Sequence, residues 1–372
     1  MHLLIPLHWE STWFGNSQLW KNKEEHSGNF HIHPLPTTSN HVWGRYFFLS
    51  TNARLYDIQP DIIYIIHEER VWVHHQIYLY RKLWSPHAKI IFFSMNAKGV
   101  PNRHFLHRLM WKNVRRQTDA ALVHYPGCME SLRAGGYEKP IFLQTQIGVD
   151  EEKFRPDETL REQQRRKLGL ENDFVVGFAG RLVEDKGVDD LLAILPLAGT
   201  NWKLLLVGGG PLRGEIEKLQ KHSEWGHRIV TPGQVALAQM PDLFRCMDCF
   251  FLGSKTMPHW IDTFPLVTVQ AQACSVPVVA ADSGAIPWQL DRTALFYPEG
   301  NRPLLKECIE TIRENPEIRQ DLAQRGMERS RKLFCIGSMT DHFHQIIEQV
   351  ATGSYHYHSK GETYSQSKAY KA

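Results

Sequence analysis

Long apolar runs are what this chain lacks first: none approaches the roughly 18 residues that a membrane span requires. The opening apolar stretch, LLIPL, is short and is followed at once by His8, Trp9 and Glu10, which is not the pattern of a secretory leader. Together these absences predict a cytoplasmic protein. One-sided charge is missing too. Lys and Arg number 43 against 40 Asp and Glu, a formal charge of +3, which gives no electrostatic argument for a nucleic-acid partner. The six cysteines, at 128, 246, 249, 274, 308 and 335, form no small-domain disulfide framework. Cys246-x-x-Cys249 has no second pair to complete a zinc site, so buried thiols in a reducing compartment are expected. Twenty histidines are many for this length, yet none falls in an H-E-x-x-H or other paired ligand spacing. They are expected on the surface and in clefts, with no bound metal.

What is present is a regular alternation. At 372 residues the chain exceeds one compact core and suits two domains. Strand-like runs lie at Leu3–Leu7, Ile62–Ile66, Ile90–Phe93, Ala120–Val123 and Ile141–Leu143. A second series follows at Val175–Ala179, Lys203–Val207, Arg228–Thr231, Cys249–Leu252, Val276–Ala280 and Ala294–Tyr297. Helical patterns separate most of them, including 103–117, 188–195, 212–222 and 302–315. Alternating strand and helix predicts an α/β fold with parallel sheets covered on both faces, here two doubly wound, Rossmann-like domains facing across a cleft. Residues 1–150 form the first and 151–336 the second, joined at the hinge-like GVDEEKFRP. A helix at 337–352 caps the fold, and the polar Ser/Lys/Tyr-rich tail 353–372 is expected to be disordered.

Three segments of the second half carry chemistry. In GFAGRLVEDKG a strand end delivers Arg181 and Lys186, a planar fork and a point charge suited to a diphosphate, with Gly180 and Gly187 allowing close backbone approach. In LLLVGGGP a strand runs into a Gly turn at Gly210 and a helix opened by Pro211, whose N-terminus suits a phosphate. The third, SKTMPHWIDTFPLVTVQAQACSVPVVAADSGAIP, reads as an acid-bearing loop, a helix and a buried strand. That order places Asp262 and Gln270 at the mouth of a parallel sheet, where α/β proteins bind ligands.

These segments resemble glycosyltransferase family 4, whose site has G-R-L-x-x-x-K-G, then T-x-P-x-W-x-E-x-F-G with a second Glu eight residues after the first. The resemblance runs from residue 1 to about 350 and is strongest at 175–300. It implies the two-domain GT-B arrangement and transfer of a glycosyl group from a nucleoside diphosphate sugar to an acceptor hydroxyl, with anomeric configuration retained. Arg181 and Lys186 would then neutralise the leaving diphosphate with no metal, Asp262 would touch the donor sugar, and Gln270 would hold the ribose. Gly180, Gly210 and the loop of Thr263, Phe264, Pro265 and Leu266 would line the donor. The chain departs from the pattern in four places. Asp262 is one methylene shorter than Glu, and Gln270 loses a charge. Pro265 stands for Gly and lacks the N–H that would reach the donor. Ser275 stands for Gly before Val276-Pro277. The resemblance also implies that a first strand, Gly-rich loop and helix of the usual unit do not precede His2–Glu10.

In the first half, PDIIYIIHEE puts His67 and Glu68 at a strand end, where either residue can orient or deprotonate an acceptor hydroxyl. It resembles a P-D-x-x-H-x-E-E segment of one family branch. IIFFSMN resembles the strand whose end bears a donor-contacting His in many relatives, and Asn96 is the nearest polar substitute. The stretch 103–116 holds five Lys or Arg, two His and no acid beside an apolar face, a pattern suited to peripheral contact with an anionic membrane. The partners implied are a nucleotide-sugar donor and a glycan or lipid-linked acceptor, in polysaccharide or glycoconjugate synthesis. The altered donor loop allows a second expectation, a donor-impaired paralogue acting as a binding or partner subunit.

Overall fold

The computed structural model describes residues 1–11, 18–39, 45–49, 56–69, 71–97, 99, 105–198, 202–222, 224–258 and 260–355. The chain opens with strands β1 (His2–Pro6), β2 (His8–Ser11), β3 (Gln18–Lys21), β4 (Glu25–Ser27) and β5 (Phe30–Leu35). It continues through β6 (Ile62–Ile65), α1 (Val73–Trp84), β7 (Lys89–Ser94), α2 (Phe105–Gln117), β8 (Ala120–Val123), α3 (Pro126–Ala134) and β9 (Ile141–Leu143). The second half begins with α4 (Glu158–Leu168), β10 (Phe174–Ala179), α5 (Val188–Ile194), β11 (Trp202–Val207), α6 (Arg213–Leu219) and β12 (Ile229–Gly233). Then come α7 (Met240–Arg245), β13 (Cys249–Leu252), α8 (Leu266–Ala273), β14 (Val278–Ala281), α9 (Ile286–Leu290) and β15 (Ala294–Tyr297). Three helices close the chain: α10 (Arg302–Glu314), α11 (Pro316–Phe334) and α12 (Ile336–Thr352).

The second unit is a six-stranded parallel sheet in the order β12-β11-β10-β13-β14-β15. Its strands are buried along their whole length, as in β10 and β13, because helices cover both faces. The order reverses between β10 and β13, and that reversal fixes where a crevice opens. One expected strand starts late: β14 begins at Val278, since Pro277 has no N–H and contributes only its carbonyl, which accepts from Phe250. The helix expected at 212–222 begins at Arg213, so Pro211 sits in the preceding turn.

The first unit has a four-stranded parallel sheet, β6-β7-β8-β9. Period-two alternation divides its side chains cleanly. Ile90, Phe92, Ala121 and Val123 join one core with Val73, Ile77, Trp111 and Val114. Ile91, Phe93, Ala120 and Leu122 face the other way and are covered by Ile346 and Val350 of α12. The last helix thus packs on the first sheet. The chain crosses between units twice side by side: Val149 N donates to Phe334 O and Ile336 N to Val149 O, at 2.8 and 3.0 Å.

The first 35 residues depart from the expected strand–helix alternation. β1 pairs parallel with β5, β5 antiparallel with β4, and β2 with β3 forms a hairpin. Register then gathers histidines expected to be scattered, since His2 and His26 both stand opposite His31. His2 Nδ1 lies 2.9 Å from His33 Nε2, and His26 Nδ1 2.8 Å from His31 Nδ1. All six cysteines are free and buried. Among the described residues no helix is long and apolar enough to cross a membrane. Residues 103 and 104 and the tail from 356 lie outside the described residues.

Candidate functional site

At the strand-order reversal, the loops after β10, β11, β13 and β14 interlock. Leu182 N donates to Gly209 O and Lys255 N to Asp185 O, each at 2.9 Å. Two glycines make the interlock possible. A Cβ on Gly208 would stand 1.9 Å from the Gly180 carbonyl oxygen, and one on Gly187 would stand 2.3 Å from that of Gly253. Both residues have φ in the left-handed half, +137° and +72°.

Lys186 and Asp262 meet in this crevice. The ammonium donates to Asp262 Oδ2 at 2.6 Å and lies 4.3 Å from the centre of the Trp260 ring. The Ser254 hydroxyl also donates to Asp262 Oδ2. Asp262 is buried, and its carbonyl accepts from Ala285 N at 2.9 Å. It does not cap α8. Pro265 occupies that N-cap at φ −73°, an angle proline adopts without strain, and its carbonyl accepts from the Thr268 hydroxyl at 2.7 Å. The missing N–H of Pro265 therefore costs the helix nothing, although that position offers no donor to a ligand. Arg181 stands at the mouth, more than 40 % exposed, its nearest carboxylate being Asp185 at 3.4 Å.

Gln270 is buried on α8, not turned to solvent, and Thr263, Phe264 and Leu266 are half-buried. Ser275 has φ +61°, so the residue standing where glycine was expected does hold a left-handed backbone. Around the crevice lies a charge lattice that sequence inspection missed. Lys255 binds Asp189 at 2.8 Å and Asp190 at 3.2 Å, while Arg302 Nε donates to Asp190 at 2.8 Å. Glu299 accepts from Thr256 N at 2.9 Å. Only the succession of charged loop residues after each strand pointed to this lattice.

The first-unit candidates are neutral or already engaged. His67 Nε2 shares a 2.6 Å hydrogen bond with the Tyr46 hydroxyl, and burial lowers its pKa to about 4. Glu68 is half-buried beside it. Asn96 donates through Nδ2 to Glu69 Oε1 and to Gly99 O, both at 3.0 Å, so its amide supports the loop. Glu69 is buried, accepts from the Ser94 hydroxyl at 2.9 Å, and has its pKa raised by burial. His67, Glu68 and Asn96 all lie in the first unit, just beyond β6 and β7. The contact across the units falls instead on His124, which sequence inspection passed over. Its ring stacks on Phe264 at 5.5 Å with 9° between planes.

Two sheets of this order in contact across a cleft, with a charged crevice where the second reverses, define the GT-B architecture. The crystal structure of Anabaena HepE in complex with UDP has that fold: 19% identical, covering 80% of this chain and 81% of that one, with a TM-score of 0.67. Residues 160–329 match the family model described as Glycosyl transferases group 1. Among curated proteins, the chain is 28% identical over 195 residues to the capsular polysaccharide biosynthesis glycosyltransferase CapM of Staphylococcus aureus, 50% of this chain and 49% of that protein. It is 32% identical over 145 residues to the GDP-mannose-dependent alpha-(1-6)-phosphatidylinositol monomannoside mannosyltransferase of Mycobacterium tuberculosis, 38% of each. The chain thus spans half or less of the length of these curated relatives.

Proposed function

We propose that this chain is a glycosyltransferase that moves a sugar from a nucleoside diphosphate to an acceptor hydroxyl with retained configuration, in polysaccharide or glycoconjugate synthesis. The observation that carries it is the Lys186–Asp262 pair at the strand reversal, with Arg181 exposed at the mouth and held only by Asp185 at 3.4 Å among the described residues. An anionic diphosphate recruits Lys186 and Arg181, which neutralise it as the C1–O bond to phosphate breaks, largely an electrostatic task. Asp262 then faces sugar hydroxyls, and the buried amide of Gln270 reads the ribose as a neutral partner. The acceptor oxygen bonds C1 on the face that the leaving diphosphate vacates, and the acceptor proton leaves on the departing phosphate. No metal enters this scheme, because the two cations carry the positive charge.

The acceptor side carries an apolar surface. Phe105, Leu106 and Leu109 of α2 and Leu79 and Leu83 of α1 are each more than half exposed, beside Arg108, Lys112 and Arg116. A basic, apolar face of this kind suits a lipid-linked acceptor at an anionic membrane surface.

Thermal shifts with UDP, GDP and ADP, repeated on Arg181→Ala, test the donor site. Stabilisation by one nucleotide that is lost in the variant supports the proposal, whereas a folded protein that responds to none of them sinks it. Cosedimentation with anionic but not neutral vesicles, lost in Phe105→Ser/Leu109→Ser, tests the membrane face.

A further inference from the structure

β8 ends at Val123, and the next two residues are the first unit's grip on the second. His124 is buried, with Phe93 edge-on to its ring at 4.5 Å and Phe264 stacked on it at 5.5 Å. Tyr125 lies 6.4 Å from Trp288. Phe264 lies two residues after Asp262, Trp288 three after Ala285, whose N–H donates to the Asp262 carbonyl, and Ile261, Ala285 and Trp288 are drawn into the first unit's core. Phe264 also touches Phe334, where the chain crosses back, at 5.6 Å. Aromatic rings thus run without a break from β7, through His124, to the loop two residues beyond Asp262 and on to the crossing.

His124 is used here as a flat ring. Its Nδ1 is buried and has no hydrogen-bond partner among the described residues, an arrangement that costs stability. A stacked pair of this geometry favours a fixed separation of the planes, so it constrains the loop more than aliphatic packing would. Asp262 is held from its own unit by Lys186, Ser254 and Ala285, while the His124–Phe264 stack, beside Ile261 packed on the first unit's core, ties its loop to the opposite sheet end.

We propose that His124 is a positioning residue: through Phe264 it sets where the Asp262 carboxylate stands across the cleft. The relevance of that placement to turnover rests on the donor-site assignment above; the placement itself does not.

The test is amide exchange by mass spectrometry on the full chain, without substrate. In His124→Ala, exchange across 260–268 rises about tenfold or more, while β10 and β11 stay protected. His124→Phe keeps the stack and stays within about twofold of the native chain there, with a higher melting temperature because the orphan nitrogen is gone. Unchanged exchange in His124→Ala, or an equal rise in His124→Phe, overturns the proposal. If one nucleotide sugar is turned over, kcat falls about tenfold to a hundredfold in His124→Ala with donor KM little changed, and His124→Phe restores it. A folded His124→Phe that stays inactive assigns the role to the nitrogen and overturns positioning by the ring. Failure of every nucleotide to bind would remove the donor-site assignment and leave the exchange result standing.

Discussion

The same place in two sheets, the carboxyl end of the central strands, is solved in two electrostatic ways. In the second unit the polar side chains there are ions held by ions: Lys186 on Asp262, Lys255 on Asp189 and Asp190, Arg302 on Asp190. In the first unit they are neutral groups held by burial. His67 binds Tyr46, and His74 donates through Nε2 to the His67 carbonyl and accepts at Nδ1 from the Tyr78 hydroxyl, each at 3.0 Å. Burial keeps both histidines and His124 from protonating. The difference teaches what each side can hold. Preset opposite charges can re-pair with an anion, whereas neutral buried donors and acceptors suit an uncharged hydroxyl.

The largest expected break in that comparison is Lys186→Met. It strands a buried carboxylate, a change worth about 3–5 kcal/mol, and under the proposed donor assignment removes a diphosphate partner, worth about 100-fold or more in turnover. Adding Asp262→Asn should restore most of the melting temperature and none of the turnover. If the double variant is active, the pair is structural and the contrast between the units fails.

Acid should separate the units next. His67 and His124 titrate near 4 and His74 near 3 in the folded protein, all lowered by burial. Unfolded histidine takes its proton near 6.5, so stability present above that pH is lost as pH falls toward 4, at about 1.4 kcal/mol per unit for each ring. The second unit's described histidines, His222 and His227, are exposed. Pulse proteolysis in urea at pH 7.5 and 5.5 should show the first unit's midpoint falling and the second's holding; equal shifts would erase the distinction.

The smallest effect tests a strained residue. Ser275→Gly relieves a left-handed backbone and should raise stability by about 1 kcal/mol, read as a shift in the urea midpoint. No gain would mean that the serine side chain contributes enough to offset the strain.

The second unit was legible in the sequence because most of its strands are short apolar runs ending near a glycine, with a helical pattern between one run and the next. Arg181 and Lys186 follow β10 and Asp262 follows β13, with Lys186 and Asp262 in contact. The N-terminal layer was not legible, because β1 and β5 are joined through the short strands β2, β3 and β4 rather than a helix, and nothing local marks their partnership. α11 was harder to read for a different reason: three of its five buried residues, Ala323, Gly326 and Ser330, are small, with Gly326 against Gln272. His124 hid because a polar residue after a strand is ordinary, and its meaning lies in a residue 140 positions away.

The cover that α12 gives the first sheet sets an order of events during synthesis. Ile91, Phe93, Ala120 and Leu122 emerge from the ribosome early, but Ile346 and Val350, which bury them, emerge more than 220 residues later. At about 5–20 residues per second that is a wait of roughly 10–45 s. Through that interval the nascent first unit carries an apolar sheet face with no lid, so a ribosome stalled before residue 336 releases a product primed to aggregate.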